Sequence, residues 1–264
     1  MSLIDEPELS VIIPVYNENE SLPILYEKLV TVLTEVAQDW EIVFVDDGST
    51  DGSSATLLGL QERDARVVVV SQRRNFGKSL GLVAGFEVSR GEIVITMDAD
   101  LQDEPTEIPK LLARLNEGYD VVTGWKKFRQ DPLSKRIPSR IANRTTALMT
   151  GLRLNDMNSG FKAYRRDCTQ HLTLYGDLHR YVPVLAHYAG FRVTEVPVVH
   201  HRRQFGKSKY GVGRLLRGGL DLLTVLFLNQ YGRRPLHLFG ATGGVLLLAG
   251  FVINLSLTME WLAG

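Results

Sequence analysis

Cysteine is nearly absent from this sequence. Cys168 is the single cysteine among 264 residues, so the chain forms no internal disulfide and offers no thiolate cluster for zinc. A reducing compartment is the simplest environment for the folded part. Hydrophobic residues make up 44% and charged residues 23% of the chain, which excludes a disordered, collagen-like or disulfide-built protein. The length fits one large domain, or one domain with an appendage.

Charged residues are absent from one long stretch near the end. No Asp, Glu, Lys or Arg occurs from Pro235 to Met259, and the 22 residues Leu238–Met259 are mostly apolar. As a helix these 22 residues would rise about 33 Å, enough to cross a hydrocarbon core of roughly 30 Å. We therefore predict a transmembrane helix over residues 235–260, with a buried core helix as the alternative. Two arginines precede it, and the positive-inside rule then places the preceding chain in the cytoplasm of a membrane-bound protein.

The balanced total of charges hides an uneven distribution. Residues 1–120 carry 23 acidic and 9 basic side chains, whereas residues 121–264 carry 7 acidic and 21 basic ones. Residues 1–8 contain three acids and no base, so we expect no secretory signal peptide there. The basic second half predicts an anionic partner, for which nucleic acid and a membrane surface are the two broad candidates.

The first 125 residues alternate between strand and helix patterns. Nearly all-apolar strands in repeated β-α units predict an α/β fold, with a mostly parallel, Rossmann-like sheet covered by helices on both faces. The predicted strands are Leu9–Val15, Glu41–Val45, Arg66–Val70, Glu92–Met97 and Tyr119–Thr123, and the predicted helices are Leu22–Val36, Ala55–Leu60, Leu80–Val88 and Ile108–Leu115.

The pattern loosens after residue 125. A strand is predicted over Phe191–Val199, and residues 212–231 form an amphipathic pattern with Arg214, Arg217 and Asp221 on the polar side. Basic residues beside a Leu-rich face indicate a helix in the membrane interface, although a helix packed on the core is the alternative. The predicted division is therefore a cytosolic domain over 1–211, an interface helix over 212–234 and the span over 235–260.

Polar clusters follow three of the predicted strands, where ligands of parallel sheets bind. Asp98, Asp100 and Gln102 alternate along the chain, so their oxygens can converge on Mg²⁺ or Mn²⁺. Asp46 and Asp47 can accept hydrogen bonds from a base or a ribose. The alternative for all these acids is solvation, turn formation or helix capping.

A basic loop can serve the same site from elsewhere in the chain. A diphosphate beside Asp98 and Asp100 would be repelled without a cation and further basic groups. Residues 203–209, with sequence RQFGKSK, can supply them, and Arg203 offers the planar fork that grips phosphate oxygens. A solvated basic loop is the alternative.

These motifs together resemble family 2 glycosyltransferases, within the polyprenyl-phosphate branch that includes dolichyl-phosphate mannose synthase and bacterial GtrB-like enzymes. The resemblance runs from about residue 9 to residue 240. Its motifs are VIIPVYNENE at 11–20, VDDGSTDG at 45–52, RNFGKSLGLVAGF at 74–86, DADLQDEP at 98–105, SGFKAY at 159–164 and RRQFGKSKYG at 202–211.

The resemblance implies a GT-A type fold and a set of site residues. Nucleotide contacts are implied for Pro14, Tyr16, Glu18, Val45 and Asp47, and the metal and diphosphate motif matches Asp98, Ala99, Asp100 and Gln102. Lys126 falls where relatives often have an arginine facing the phosphates, and Arg203 and Lys209 match residues that close over the diphosphate. The segment that helps to hold the acceptor phosphate in relatives contains Ser139 and Arg140. The implied metal ligands are Asp98, Asp100 and Gln102, and the implied catalytic residues are Asp98, Asp100 and Arg203.

The implied reaction is transfer of a sugar, with inversion, from a UDP- or GDP-sugar to a polyprenyl phosphate, assisted by Mg²⁺ or Mn²⁺. A membrane partner explains the basic half of the chain without nucleic acid, because the basic stretches lack an aromatic stacking platform. A family 2 enzyme with a sugar-hydroxyl acceptor, and a non-catalytic nucleotide-binding membrane scaffold, are the alternatives. The sequence leaves open the sugar, the base, the lipid length, the pathway and whether the chain forms a homo-oligomer.

Two features depart from the family pattern. Some relatives carry an acid directly after the glycine of the SGF segment, where this chain has Phe161, so we assign no catalytic base there. GtrB-like members tend to have two spanning helices, and this sequence has room for one. Whether a second span belongs to a longer form of the chain stays open.

Overall fold

The computed structural model describes residues 6–127, 133–205, 214–232 and 234–264, with backbone alone for 133–140 and 214–217. It divides into two compact units, Met1–Asp221 and Leu222–Gly264. The predicted domain boundary at residue 211 lies outside the described residues, and the three-part division stays a prediction.

The first unit is built on a seven-stranded sheet with the order β3-β2-β1-β4-β6-β5-β7. Its strands are β1 Leu9–Val15, β2 Trp40–Asp46, β3 Val67–Ser71, β4 Ile93–Thr96, β5 Val121–Trp125, β6 Lys162–Arg165 and β7 Val193–Pro197. Its helices are α1 Leu22–Val36, α2 Ser53–Arg63, α3 Lys78–Val88, α4 Ile108–Asn116, α5 Leu133–Thr150, α6 Arg166–Gln170 and α7 Val182–Tyr188. Short 3₁₀ turns cover Pro105–Glu107 and Leu178–Tyr181, and α8 Arg214–Tyr231 begins in this unit.

The central strands are parallel and almost wholly buried. β1 pairs in parallel with β2 on one side and β4 on the other, so the strand order reverses beside β1. Every residue of β2 is buried, as is every residue of β1 except the half-buried Pro14. Such apolar strands need cover on both faces, and the reversal opens a crevice at the carboxyl ends of β1 and β4.

The prediction of a mostly parallel α/β sheet is confirmed, with one difference. β6 lies between β4 and β5 and runs antiparallel to both. The sequence does not predict this strand, because its four residues begin and end with Lys162 and Arg165 and show no strand-like run. The segment predicted as a strand over 191–199 forms the shorter β7, which pairs in parallel with β5.

The second unit contains the end of α8 and the long helix α9, Pro235–Ala263. α9 has 29 residues with a mean hydropathy of 2.0 in its most apolar part, and none of its residues is buried. By length and composition it can cross a membrane, and its exposure speaks against the buried core helix. The helix predicted over 212–231 is present as α8, and its place in the membrane interface stays a prediction.

Candidate functional site

The site lies where β1, β2 and β4 end, at the crevice formed by the reversal of strand order. Two residues in this region adopt the left-handed backbone conformation that non-glycine residues rarely use. Asn17, after β1, has a φ of 56°, and Leu101, after β4, has a φ of 58°. Such conformations cluster at functional sites. The turn at Leu101 falls between Asp100 and Gln102, so these two side chains leave a bent rather than an extended segment.

Asp98 is surrounded by ammonium groups. The Lys78 ammonium at the start of α3 donates a hydrogen bond to Asp98 Oδ1. Burial alone would raise the pKa of Asp98, but the charges of Lys78, Lys126 and Lys162 outweigh it and hold this pKa well below its usual range. Asp98 is therefore an ionised carboxylate at neutral pH.

Asp100 is buried and bound by an arginine from a distant part of the chain. Arg203 Nη2 donates to Asp100 Oδ2 at 2.6 Å, and Arg203 Nη1 donates to Glu18 Oε1 at 3.0 Å. Burial and the nearby charge of Asp98 raise the pKa of Asp100, and Arg203 opposes this rise only in part. Arg203 thus links Glu18, after β1, to Asp100, after β4, and its contact with a diphosphate stays a prediction.

The segment before Arg203 is fastened to the chain that follows Asp100. The His201 amide donates to the Gln102 carbonyl at 2.7 Å, and Gln102 Nε2 donates to the His201 carbonyl at 3.1 Å. Asp103 is buried and pairs with His200 Nδ1 at 3.0 Å and with Lys126 Nζ at 3.2 Å. These contacts position Arg203 over Asp100.

The two aspartates at the carboxyl end of β2 organise the neighbouring loops. Asp47 accepts hydrogen bonds from the Phe76 amide at 2.6 Å and the Gly77 amide at 2.9 Å. Asp46 accepts from the Ser49 amide at 2.9 Å and from the Ser54 hydroxyl. Asp46 therefore stabilises the turn that follows it, as the alternative interpretation predicted. Asp47 holds the loop that leads into α3. A contact of Asp47 with a nucleotide stays a prediction.

Gly160 and Lys162 form the floor of the site and were not predicted from the sequence. A Cβ placed on Gly160 would lie 2.5 Å from Asp98 Oδ2, and the Thr96 hydroxyl donates to the Gly160 carbonyl at 2.8 Å. Lys162 is buried and donates to the Ser159 carbonyl. Burial and the charge of Lys78 lower the pKa of Lys162 to about 7. Gly160, Lys162 and Lys78 all stand in motifs that carried the resemblance, and this was the signal that could have found them.

The remaining predicted residues are placed as follows. Pro14, Tyr16 and Val45 lie at the carboxyl ends of β1 and β2, and Ala99 lies buried between the two aspartates. Lys126 is largely buried and pairs with Asp103 rather than facing open crevice. The backbone of Ser139 and Arg140 lies in α5, but their side chains, and all of Lys209, lie outside the described residues.

The side-chain oxygens of Asp98, Asp100 and Gln102 are of the kind that binds a divalent cation. In the described part of the chain, no three His, Cys, Asp or Glu side chains form a metal-binding group. The predicted set differs from such a group, because it has two carboxylates and the Gln102 amide oxygen. Both carboxylates already attract cations, since Lys78 binds Asp98 and Arg203 binds Asp100. Hard oxygen donors of this kind suit Mg²⁺ or Mn²⁺.

The family profile described as Glycosyl transferase family 2 matches residues 10–173, which contain all of these strand ends. The chain belongs to glycosyl transferase family 2. Among curated relatives, undecaprenyl-phosphate 4-deoxy-4-formamido-L-arabinose transferase from Salmonella choleraesuis is 37% identical, covering 97% of this chain and 79% of the relative. Dodecaprenyl-phosphate galacturonate synthase from Rhizobium johnstonii is 38% identical, covering 89% of this chain and 71% of the relative.

Solved structures share the fold at low sequence identity. Glucosyl-3-phosphoglycerate synthase from Mycobacterium tuberculosis, in complex with phosphoglyceric acid, superposes with a TM-score of 0.64 at 18% identity, covering 84% of this chain and 80% of that one. The same enzyme in complex with Mn²⁺ and UDP-glucose gives a TM-score of 0.62 at 17% identity, covering 84% and 79%. These structural similarities show that this family 2 chain has the GT-A type fold.

Proposed function

We propose that this chain transfers a sugar from a nucleoside-diphosphate sugar to a polyprenyl phosphate, with inversion and with the help of Mg²⁺ or Mn²⁺. The observation that carries the proposal is the convergence of Asp98, Asp100 and Arg203 at the sheet's reversal point. The two curated relatives are named for undecaprenyl-phosphate and dodecaprenyl-phosphate products. A neighbouring structure holds Mn²⁺ and UDP-glucose, which agrees with the donor class.

The diphosphate of the donor belongs beside Asp98 and Asp100. A divalent cation held by Asp98, Asp100 and Gln102 would neutralise charge on the leaving diphosphate. Arg203 contributes a second positive group that is already positioned, because two carboxylates hold its guanidinium in place. Lys209 is proposed to close over the same group. The base and ribose are proposed to contact Pro14, Tyr16, Glu18, Val45 and Asp47.

The acceptor explains why the site needs no dedicated general base. A phosphate monoester is largely ionised at neutral pH, so its oxygen attacks without first losing a proton, unlike a sugar hydroxyl. Catalysis then rests on orientation and on stabilising the leaving group. Ser139 and Arg140 are proposed to hold the acceptor phosphate, with the catalytic unit on the cytoplasmic face of the membrane.

The first test removes one member of the site at a time. We expect Asp100→Ala and Arg203→Ala each to lower turnover by at least about tenfold, or roughly 1.4 kcal/mol of barrier. Turnover is measured as transfer of labelled sugar to polyprenyl phosphate, with donors from a panel of UDP- and GDP-sugars and the product identified by mass spectrometry. Arg202→Ala is the matched control, because Arg202 is exposed beside Arg203. Near-normal transfer by both site variants would refute the assignment.

The second test removes the metal. We expect EDTA to abolish transfer and added Mg²⁺ or Mn²⁺ to restore it, because the proposed cation would stabilise the negative charge that develops on the leaving diphosphate. Full activity in the presence of the chelator would take the metal out of the proposal. Offering free oligosaccharide beside polyprenyl phosphate in the same assay distinguishes a sugar-hydroxyl acceptor.

A further inference from the structure

Helix α3 carries Lys78 into the site, but its own sequence defines its start poorly. Gly77 precedes the helix with a φ of 92°, and among the described residues no side chain caps the first turn. Gly81 and Gly85 lie within the helix, and glycine disfavours helix formation. The place of Lys78 beside Asp98 therefore depends on contacts that α3 makes with other parts of the chain.

The next residue, Ser79, makes such a contact. Ser79 is wholly buried and is bound to His179, 100 positions later in the chain. Its hydroxyl oxygen accepts a hydrogen bond from the His179 amide at 3.1 Å and forms a second hydrogen bond with His179 Nδ1 at 3.0 Å. The proton of the second bond can belong to either atom, and the pair has two bonds in both cases. His179 thus binds α3 one residue after the lysine that contacts Asp98.

The 3₁₀ turn Leu178–Tyr181 that carries His179 is itself held in place. Leu178 and Tyr181, at the two ends of the turn, are buried. The Tyr181 hydroxyl donates to the Gly218 carbonyl at 2.7 Å. His179 therefore binds α3 from an anchored part of the structure.

The imidazole of His179 is electrically neutral. Burial, together with the charges of Lys78 and Arg180, lowers its pKa to about 2. The ring adds no further positive charge beside Lys78, and it contributes to the site through its hydrogen bonds. His179 is therefore a support for the start of α3 rather than a group that exchanges protons during turnover.

We propose that His179 is a positioning residue of the site. By binding Ser79 it fixes the first turn of α3, and it thereby keeps the Lys78 ammonium against Asp98. The side chains of Lys78 and Asp98 are 26% and 31% exposed, so this pair borders the crevice where the donor diphosphate is proposed to bind. The part of the inference that concerns turnover rests on the proposed function. A displaced helix start would misplace Lys78 and Asp98, and small misplacements in a site slow a reaction strongly.

The first experiment measures the position of Lys78 without any substrate. The full chain in detergent is treated with limiting acetic anhydride, and the acetylation of each lysine is measured by mass spectrometry. The Lys78 nitrogen must leave Asp98 before it can react, so we expect His179→Ala to raise its rate of acetylation several-fold. Lys110 is the internal reference, because it lies on a different helix, α4, and pairs with Glu107. An unchanged ratio of Lys78 to Lys110 acetylation would overturn the proposal.

Further variants distinguish a lost hydrogen bond from a damaged fold. His179→Asn keeps a polar atom near the position of Nδ1, and we expect it to retain most of the protection of Lys78. Ser79→Ala removes the same contact from the other side and should raise the acetylation of Lys78 several-fold. Ser89→Ala is the matched control, because Ser89 is a buried serine at the opposite end of α3. Protection of Lys78 in Ser79→Ala, or equal loss of protection in Ser89→Ala, would show that the bond to His179 does not hold Lys78.

Turnover tests whether this position matters for sugar transfer. We expect His179→Ala to lower kcat by about tenfold and His179→Asn to recover most of the loss. His187→Ala should change neither kcat nor KM, because His187 is exposed on α7. In a Lys78→Ala background, His179→Ala should cause little further loss, since residues that act through one contact are not additive. Additive losses would mean that His179 does not act through Lys78.

Acetylation needs no sugar transfer, so the two proposals fail separately. If the parent chain transfers no sugar to polyprenyl phosphate from any donor in the panel, the proposed function is refuted, and the acetylation pattern still decides whether His179 positions Lys78. Raised acetylation with unchanged turnover would overturn the role of His179 in the reaction and leave the proposed function intact.

Discussion

Asp98 stays ionised although its carboxylate is largely removed from water, because three lysine ammonium groups lie close to it. Removing a carboxylate from water favours its neutral form, and each nearby positive charge opposes this. The lysine charges prevail at Asp98, whereas at Asp100 burial and the neighbouring carboxylate prevail over Arg203. Two adjacent acids therefore differ in their affinity for protons, and cations that lie close to both compensate the charge.

Gly160 gives a prediction for a single residue. The added methyl group of Gly160→Ala would meet Asp98 Oδ2 at 2.5 Å and the carboxyl carbon at 2.8 Å, and it would have to displace the Asp98 side chain. We expect sugar transfer to fall by at least about tenfold while the fold is retained, since a small misplacement of a reacting group has a large effect on rate.

The measurement is turnover with polyprenyl phosphate, together with thermal unfolding to show that the fold remains. Gly59→Ala is the matched control, because a Cβ at this helical position meets nothing within 4 Å. Unchanged turnover in Gly160→Ala would show that the position of Asp98 is not critical.

Sequence patterns identified some site residues and not others. Asp98, Asp100 and Arg203 were predicted because acids at a strand end and a basic loop are informative by themselves, and the structure brings all three together. Lys78 and Lys162 were not predicted as part of the site. Both stand in motifs that carried the family resemblance, but they contact Asp98 or its surroundings only in the folded chain, so residue type and spacing alone did not identify them.

At the scale of secondary structure, long apolar strands were predicted well and short polar ones were not. The β1 prediction matches the observed bounds, and the ends of β2 differ by one residue. β6 was missed because its neighbours in the sheet, rather than its own sequence, make it a strand. α5 was also left unassigned, because its apolar side faces outward and its inward side is polar.

A buried glutamate, Glu41, links the amino-terminal ends of the central strands, on the side of the sheet away from the site. Glu41 in β2 accepts from the Ser10 hydroxyl at 2.7 Å, from the Arg90 amide at 2.7 Å and from Arg90 Nη2 at 2.8 Å. Glu41→Ala would leave these donors without their acceptor in a buried place. We expect the free energy of unfolding to fall by about 2 kcal/mol, toward the lower end for a buried charge pair because Arg90 is partly exposed.

The expected change is measured as a lower urea midpoint for the first unfolding transition of the full chain in detergent, followed by tryptophan fluorescence. Glu35→Ala provides the comparison, since Glu35 is exposed on α1. Equal midpoints for the two variants would mean that the Glu41 contacts contribute little to stability.

At the scale of the whole chain, the charges separate by function. The acidic half supplies the three strand ends of the site, and the basic half supplies Arg203 and the chain leading to α9. Because the predicted acceptor and the membrane surface are both anionic, one basic half serves both. The sequence showed this division directly, but it did not show which basic residues reach the site.

The last prediction concerns the topology of the chain in the membrane. α9 is apolar along its length and carries no buried residue, and the arginines that precede it favour the cytoplasmic side. We expect the protein to stay in the membrane after alkaline carbonate washing. In intact spheroplasts, protease should remove an epitope added after Gly264 and leave one added before Met1 untouched, and permeabilised cells should lose both. Loss of the epitope before Met1 in intact spheroplasts, protection of the epitope after Gly264 there, or release by carbonate, would contradict a span with the catalytic unit inside, because positive charge next to α9 holds that end of the helix in the cytoplasm.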